Sequence, residues 1–362
     1  MRPLRNVLTT AAFAAVVPLA LTGCSTPEGT NSTAAEGGSS EACPTSSARE
    51  SVTLAAGQLI EGMAPVLLAI ESGAFDEANL DVKIEPLPTA DALPQIAQRR
   101  LDGQMTSFST ANFNMANSGM NLRWVMPLYE LPSTEETEEL PGYWANIRYV
   151  GTGDELDLSG LKGQLIATPV APAGTGAGAK LLEKSLTEQG MTLDDVKWTV
   201  LSGADSLASL ENGAVAAAWL SQPFERMAAK DENLRLLGTY EPGVNGSALL
   251  AGPSLGDRPE VLKRFMMVVG DVSEKYLQGN YRGNPETVRL LAAALDQDEA
   301  SLREGVPLTF DPTLSMDGAD TYVEELQEWT MAQGNLEYDT PVPTDRLVDT
   351  ETVAAAAACR QG

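Results

Sequence analysis

Residues 51–84 are SVTLAAGQLIEGMAPVLLAIESGAFDEANLDVKI, and this stretch decides the fold class. Residues 52–56 predict a strand. Pro65 suits the first turn of a helix, and Gly73 suits its end. Residues 80–84 alternate between apolar and polar side chains, which is typical of a second strand. A strand, a helix and a strand in close succession predict an α/β fold with mostly parallel sheets.

The alternation of strands and helices continues outward from this stretch and is interrupted twice. Residues 132–141 carry acidic residues and threonines without an apolar period, and Glu241-Pro242-Gly243 breaks the chain again. Between the two interruptions lies a second α/β unit, which begins with a predicted strand at 146–150. We therefore predict a discontinuous first lobe (50–140 plus 246–362) and a second lobe (141–245). Two connectors between them predict a hinge, with a cleft between the lobes.

The N-terminal residues have the organisation of an export signal. Arg2 and Arg5 precede an apolar stretch at 7–21, which is followed by Leu21-Thr22-Gly23-Cys24. This pattern resembles the lipobox of bacterial lipoproteins, which predicts a signal peptide at 1–23 and a lipid on Cys24. The alternative is an ordinary secretory signal with an incidental Cys24. Residues 24–49 are rich in small and polar residues and predict a flexible tether. We expect an extracytoplasmic protein, lipid-anchored to the outer face of the cell membrane.

Composition excludes several classes of function. The chain has 24 Lys+Arg against 50 Asp+Glu, a formal net charge of −26, which argues against nucleic acid as a partner. It has no histidine, so His-dependent nucleophilic catalysis and His-based zinc sites are excluded. The G-x-S-x-G pattern at 252–256 therefore has no histidine base. We expect no catalytic residues, no metal site and no cofactor.

The cysteine count suggests one disulfide. If Cys24 carries a lipid, Cys43 and Cys359 remain, one near each end of the folded part. Outside the cytoplasm two such cysteines favour a bond that joins the termini, although two free thiols are the alternative.

Several segments, in this order, resemble the substrate-binding lipoproteins of ABC importers of the nitrate, sulfonate and taurine type. They are residues 64–75 (APVLLAIESGAF) with 79–82 (NLDV), 161–167 (LKGQLIA), 212–218 (NGAVAAA) and 222–224 (QPF). The resemblance implies the two-lobed periplasmic-binding-protein type II fold, each lobe a mostly parallel sheet flanked by helices, with the ligand cleft between them. It further implies a monomer that delivers a small organic solute of the nitrate, sulfonate or taurine class to an ABC permease and its ATPase.

The same resemblance implies that the ligand is held by loops after the first strands and at helix starts. Helix N-termini and glycines in such loops suit the binding of an anion or a carbonyl oxygen. For Ser109 and Thr110, capping of the following helix is the alternative role. The candidate ligand-binding residues are Gln58, Leu59, Ile60, Glu61, Asp91, Ser109, Thr110, Asn112, Gly174, Thr175, Gly176 and Gln222.

The sequence also departs from the family pattern. Gln222 stands where family members often have Glu, and the candidate loops contain no Arg or Lys. If two of Glu61, Asp91 and Glu130 face the cleft, a neutral, zwitterionic or amine-bearing ligand is favoured. Aromatic side chains could stack on a ring or belong to the core: Phe108, Phe113, Tyr143, Trp144 and Trp219.

Alternative functions are a carrier of a pyrimidine precursor of thiamine, a sensor lipoprotein, and an enzyme. For the enzyme, a related fold supports a self-consuming pyrimidine synthase, whose chemistry uses histidine.

Overall fold

The computed structural model describes residues 43–44, 46–131, 141–153, 155–169, 173–240, 243–244, 246–304 and 306–361. The predicted signal peptide 1–23, Cys24 and the tether as far as residue 42 lie outside the described residues. No helix of the described part is both long and apolar enough to cross a membrane.

The first sheet has five strands in the spatial order β2-β1-β3-β12-β4. β1 pairs in parallel with β2 and β3, whereas β12 pairs antiparallel with both β3 and β4. The strands are β1 (Glu50–Ala56), β2 (Leu80–Pro86), β3 (Gly103–Ser107), β4 (Arg123–Pro127) and β12 (Ser247–Ala251).

The second sheet has five strands in the order β10-β6-β9-β7-β8. β7 pairs in parallel with β8 and β9, and β6 pairs antiparallel with β9 and β10. The strands are β6 (Gly142–Asn146), β7 (Leu165–Thr168), β8 (Lys197–Val200), β9 (Ala217–Leu220) and β10 (Leu234–Thr239). We call the first sheet with its helices the first lobe, and the second sheet with its helices the second lobe.

In each sheet four strands run in one direction and one runs in reverse. The reversed strands are β6 and β12, the strands with which the chain enters the second lobe and re-enters the first. Each of them is preceded in sequence by one strand of a short antiparallel ladder, formed by β5 (Glu130–Leu131) before β6 and β11 (Gly243–Val244) before β12. The two stretches of chain that cross between the sheets are thus paired with each other.

Helices cover both sheets and bury their apolar faces against them. They are α1 (Ala64–Glu71), α2 (Ala74–Glu77), α3 (Thr89–Ala97), α4 (Thr110–Asn117), α5 (Ile147–Val150), α6 (Gly176–Thr187), α7 (Gly203–Glu211), α8 (Phe224–Ala229), α9 (Pro253–Gly256), α10 (Pro259–Tyr276), α11 (Pro285–Leu295), α12 (Glu299–Arg303), α13 (Ala319–Ala332) and α14 (Thr350–Gln361). Short 3-10 turns at Glu61–Met63 and Tyr281–Gly283 lie next to α1 and α11.

Successive side chains of β6 point to opposite faces of the second sheet and so contribute to both apolar clusters of the second lobe. Tyr143 and Ala145 face one apolar cluster, and Trp144 faces the other. The first lobe has a larger cluster in which α1 and α10 pack against the sheet. Successive side chains of a strand point to opposite faces, so a nearly continuous apolar strand is the expected sequence for a sheet covered on both sides.

The C-terminal helix α14 packs on α10 and joins the N-terminal segment covalently. Cys43 and Cys359 form a disulfide with an S–S distance of 2.11 Å. Arg360 extends the contact, because its guanidinium donates to Asp271 at 2.7 Å and to Glu274 at 2.8 Å. The two ends of the described chain are therefore held on the same lobe.

Two local expectations need correction or addition. Residues 146–150 are not a strand: β6 ends at Asn146, and 147–150 form helix α5. The Asn146 side chain accepts a hydrogen bond from the Arg148 backbone N–H at 3.1 Å, so the asparagine caps a helix that the β-branched residues alone would not favour. Helix α14 was not among the predicted elements.

Candidate functional site

The loops that follow the strands of the two sheets meet across the space between the lobes. Gln58, in the loop after β1, lies against Gly203, the first residue of α7. A Cβ built on Gly203 would lie 3.4 Å from Gln58 Oε1 and 3.3 Å from the Phe224 ring. Gly203 has a φ of +56°, so both its backbone and its surroundings favour glycine. A predicted ligand residue of the first lobe is thus in contact with the second lobe.

Glu61 is the centre of a buried polar network between the lobes. Its carboxylate is 2% exposed; Arg282 donates to Oε2 at 2.9 Å, and the Tyr281 hydroxyl donates to Oε1 at 2.6 Å. Arg282 is itself 3% exposed. A carboxylate held by a guanidinium and a phenol has little capacity left for an amine of a ligand.

Gln222, in the loop after β9, brings the second lobe into this network. With its amide nitrogen towards Glu61, it donates to Glu61 Oε2 at 3.1 Å and accepts from Arg282 at 3.2 Å. The amide can donate and accept at once, which a carboxylate in the same place could not do. Gln222 therefore bridges the two members of a first-lobe ion pair from the second lobe.

Arg226 of α8 makes the next contact between the lobes. Its guanidinium donates to the backbone carbonyls of Ser301 (2.7 Å) and Glu304. Arg282 donates to the same Glu304 carbonyl, and Lys230 forms an exposed ion pair with the Glu304 carboxylate at 2.6 Å. These contacts attach α8 to the segment around α12.

Glu225 lies beside Arg226 and is fully buried. Among the described residues, neither of its carboxyl oxygens has a hydrogen-bond partner in another residue, and Arg226 Nε lies 3.9 Å away. Burial raises the pKa of Glu225 to about 8, and the neighbouring Glu61 carboxylate adds to the rise, while the backbone N–H of Glu225 itself, Arg226 and Arg282 oppose it. Glu225 is therefore mostly protonated at neutral pH.

Two buried donors remain unused at the start of α4. The Asn112 carbonyl oxygen accepts from the Ser109 backbone N–H (3.0 Å) and hydroxyl (2.6 Å), which completes a capping box. The Asn112 Nδ2 group and the Thr110 hydroxyl are buried and have no partner. Ser109 thus has the capping role, whereas Thr110 and Asn112 hold free donors at the end of β3.

The second lobe contributes the start of α6 and a buried hydroxyl in α7. Gly174 and Gly176 have φ of +80° and +77°, and a Cβ on Gly174 would lie 2.9 Å from the Trp198 ring. Thr175 occupies the N-cap position of α6 and is buried, and Ala177 packs into the core cluster of the first lobe. The start of α6 therefore also faces the first lobe. Ser206 of α7 is fully buried, with a hydroxyl that has no partner.

The remaining predicted residues lie outside the Glu61 network. Leu59 and Ile60 are half-buried and pack against the first core, and Asp91 is exposed on the first turn of α3. Glu130 is half-buried and exchanges backbone hydrogen bonds with Thr309; burial, with a smaller effect of Asp311, raises its pKa.

Most of the candidate aromatic side chains belong to the cores, and one is half-buried. Phe108 and Phe113 stack on each other in the first core, with ring centroids 5.1 Å apart. Trp144 lies in a core cluster of the second lobe, whereas Trp219 is half-buried and contacts Tyr143 and Tyr240 at centroid distances of 5.5 and 5.4 Å. Trp219 is thus the candidate aromatic that keeps exposed ring surface.

The residues that sequence reasoning did not find are Arg226, Tyr281, Arg282 and the buried Glu225. Tyr281 and Arg282 are 220 and 221 positions from Glu61, and no local pattern links them to it. The candidate loops contain no cation, and Arg226 and Arg282 come from other elements. Of the two, Arg282 neutralises Glu61 inside the protein.

Comparison with solved structures identifies the architecture. The periplasmic aliphatic sulphonate-binding protein SsuA of Escherichia coli matches with a TM-score of 0.58 at 16% identity, over 81% of this chain and 93% of that one. The periplasmic nitrate-binding protein NrtA of Synechocystis PCC 6803 matches with a TM-score of 0.64 at 14% identity, over 86% and 89%. The desulfurization enzyme DSZB matches with a TM-score of 0.54 at 14% identity, over 86% and 99%.

No protein-family model matches the chain, and neither does any curated protein sequence. At these identities the structural matches concern the fold rather than the ligand or the activity. The predicted fold class is confirmed: the chain has the two-lobed α/β fold of periplasmic binding proteins.

Proposed function

We propose that this protein is the solute-binding component of an ABC importer and acts by closing its two lobes on a small molecule. The observation that carries the proposal is the pair of buried donors on Thr110 and Asn112, unpartnered among the described residues, at the start of the helix after β3; in the same sheet, the loop after β1 contacts the second lobe at Gly203. Buried polar groups are normally hydrogen-bonded, so unpaired donors in such a place favour a ligand as their partner.

The proposal includes the place of the protein in the cell. Residues 1–23 direct export, Cys24 carries a lipid, and the chain after it tethers the lobes near the permease. The protein works as a monomer with lobes 50–140 plus 246–362 and 141–245, and its closed form is recognised by the permease, which works together with its ATPase. Labelling of growing cells with a radioactive fatty acid tests the anchor: label on the wild type and none on Cys24→Ser is expected.

The ligand we propose is a small organic solute of the nitrate, sulfonate and taurine class. We call the contact of Gln222 and α8 with the first lobe the seam. Within the described part of the seam, Arg226 bonds to backbone carbonyls and Arg282 bonds to Glu61, so the groups available to a ligand are neutral hydroxyl and amide donors. Hydroxyl and amide donors can hydrogen-bond the oxygens of a sulfonate or of nitrate. Because Glu61 is already paired with Arg282 and Tyr281, the amine of taurine gains no carboxylate partner from it, and the screen compares taurine with amine-free alkanesulfonates and nitrate.

A second candidate is a neutral, ring-shaped solute such as a pyrimidine precursor of thiamine. The specific observation in its favour is the half-buried Trp219, whose ring contacts Tyr240 near the second crossing between the lobes. An aromatic ring with exposed surface can stack on a planar ligand. We do not propose catalysis, because the chain has no histidine to serve the acid–base chemistry considered for such a fold.

A ligand screen tests these proposals directly. The full chain carrying Cys24→Ser is heated with taurine, alkanesulfonates, nitrate and pyrimidines, with tryptophan fluorescence as the readout and X-ray scattering of each hit. We expect one class to raise the melting temperature and to reduce the radius of gyration. Binding without compaction, or no binding across the panel, contradicts the proposed function.

A conservative variant tests the site. Thr110→Val removes the unpartnered hydroxyl with little change of shape and is expected to weaken binding by about 2- to 10-fold. Thr187→Val, at the exposed end of α6, is the matched control and should bind as the wild type does. Equal affinities of the wild type, Thr110→Val and Thr187→Val would show that Thr110 does not contact the ligand.

A further inference from the structure

The seam between α8 and the first lobe contains a carboxyl group that no other part of the proposed function explains. Glu225 is fully buried, and neither oxygen accepts a hydrogen bond from another described residue. Its neighbour Arg226 bonds across the seam to Ser301 and Glu304, which places Glu225 at the lobe contact rather than in a separate core.

Glu225 is surrounded by few charges, and most are already paired. From the first lobe it interacts with Glu61, Arg282 and Tyr129, and on its own helix with Arg226. Glu61 and Arg282 neutralise each other at 2.9 Å. An ionised Glu225 would thus be a buried charge that no other described residue hydrogen-bonds.

The elements of the second lobe that pack on α8 do not supply a partner. Arg235 of β10 donates to the backbone carbonyls of Glu232 and Leu234. Asp205 and Glu211 of α7 are exposed and carry charge of the same sign as an ionised Glu225. Lys230, at the end of α8, is paired with Glu304 on the surface. The closed seam therefore favours the neutral form of Glu225.

Opening of the lobes changes this environment. When α8 leaves the first lobe, water reaches the seam and the burial that disfavours the carboxylate is relieved. An accessible glutamate has a pKa near its ordinary value of 4.5, against about 8 in the closed arrangement. Between these two values the closed state holds a proton that the open state does not.

We propose that closure of the lobes takes up one proton at Glu225, so that the protein closes more readily, and holds its solute more tightly, in acidic than in alkaline medium. This inference rests on the proposed function and adds a regulation to it. The direction follows from linkage: both states are protonated below about pH 4.5, and the closing constant falls by up to tenfold per pH unit until about pH 8. Above that pH it is constant.

X-ray scattering of the solute-free full chain with Cys24→Ser, from pH 5 to pH 9, tests the proposal without any ligand. We expect the radius of gyration of the protein to rise with pH. Glu225→Gln, neutral at every pH, is expected to stay compact throughout. Glu188→Gln, on the exposed end of α6, is the matched control and should respond as the parent does.

A parent radius of gyration that does not depend on pH overturns the proposal, and so does an unchanged response in Glu225→Gln. Arg226→Met, which loses the bonds to Ser301 and Glu304, is expected to be expanded at every pH; a compact Arg226→Met would contradict the assignment of the seam as the closing contact. Because these outcomes need no solute, they are separate from failure of the ligand screen, which would contradict the proposed function instead.

Discussion

The buried ion pair between Glu61 and Arg282 makes a quantitative prediction about stability. Both side chains are at most 3% exposed, and the guanidinium nitrogen lies 2.9 Å from the carboxylate oxygen. At an effective dielectric constant of about 20 the attraction is about 6 kcal/mol, and the desolvation of the two ions is of similar size. The pair is therefore close to neutral in net stability, while either ion alone is strongly unfavourable.

Arg282→Met leaves the buried Glu61 carboxylate without its ion pair, and only the hydrogen bonds from Tyr281 and Gln222 remain. We expect the free energy of unfolding to fall by about 3–5 kcal/mol. Glu61→Gln leaves Arg282 with the Glu304 carbonyl as a partner, so the expected loss is smaller, about 1.5–3 kcal/mol. The double variant carries neither charge, and its loss should be smaller than that of Arg282→Met alone.

Urea unfolding, followed by circular dichroism and tryptophan fluorescence, measures all three variants in a double-mutant cycle. Arg49→Met is the matched control, because its ion pair with Asp76 is 55% and 68% exposed and its loss is expected to change stability little. A double variant whose loss equals the sum of the two single losses would refute the reasoning, since it would mean that the two charges do not depend on each other.

Two further predictions concern covalent and steric features of the first lobe. Replacing both Cys43 and Cys359 by serine opens a loop of 316 residues, for which the chain-entropy model gives a loss of about 5–6 kcal/mol in the free energy of unfolding; an unshifted urea midpoint would contradict it. Gly62→Ala places a Cβ 2.4 Å from the Tyr129 ring, and we expect the free energy of unfolding to fall by about 1–3 kcal/mol. Gly283→Ala is the control: its Cβ would have nothing within 4 Å, and the expected loss is under about 0.5 kcal/mol. Equal melting temperatures of the two variants would refute this prediction.

Elements with complete local signals were predictable from the sequence. Helix α11 begins at Pro285 and ends at Leu295. Asn284 caps it by accepting from the backbone N–H groups of Glu286 (2.9 Å) and Thr287. A cap, a proline at the first position and an apolar period all act within one segment, so the sequence alone contains the information.

Where local signals conflict, the prediction failed. Residues 147–150 contain two β-branched residues and a tyrosine, which favour a strand, yet Asn146 caps them as a helix. Gly160 lies against this helix: a Cβ on Gly160 would be 1.9 Å from the Tyr149 carbonyl oxygen. That close approach is a tertiary contact, and no local propensity reports it.

The residues of the candidate site also differ in whether local sequence or tertiary packing brings them together. The loops of Gln58, Thr175 and Gln222 were predicted because the family resemblance implies ligand contacts in loops after strands and at helix starts. The partners of Glu61 were not, because Tyr281 and Arg282 are brought to it only by the packing of the 3-10 turn before α11 against the first lobe.

The amide at position 222 and the buried acid at position 225 are physically connected. The seam has one carboxylate, Glu61, opposite Arg282, and the Gln222 amide donates to the first and accepts from the second. A glutamate at 222 would place another negative charge beside Glu61, and that charge would further disfavour ionisation of Glu225. With glutamine at 222 the network is neutral overall, so the protonation of Glu225 depends mainly on whether the lobes cover it. If closure takes up a proton at Glu225, as we propose, Gln222 connects the neighbouring Glu61 and Arg282 across the lobes without adding a charge of its own.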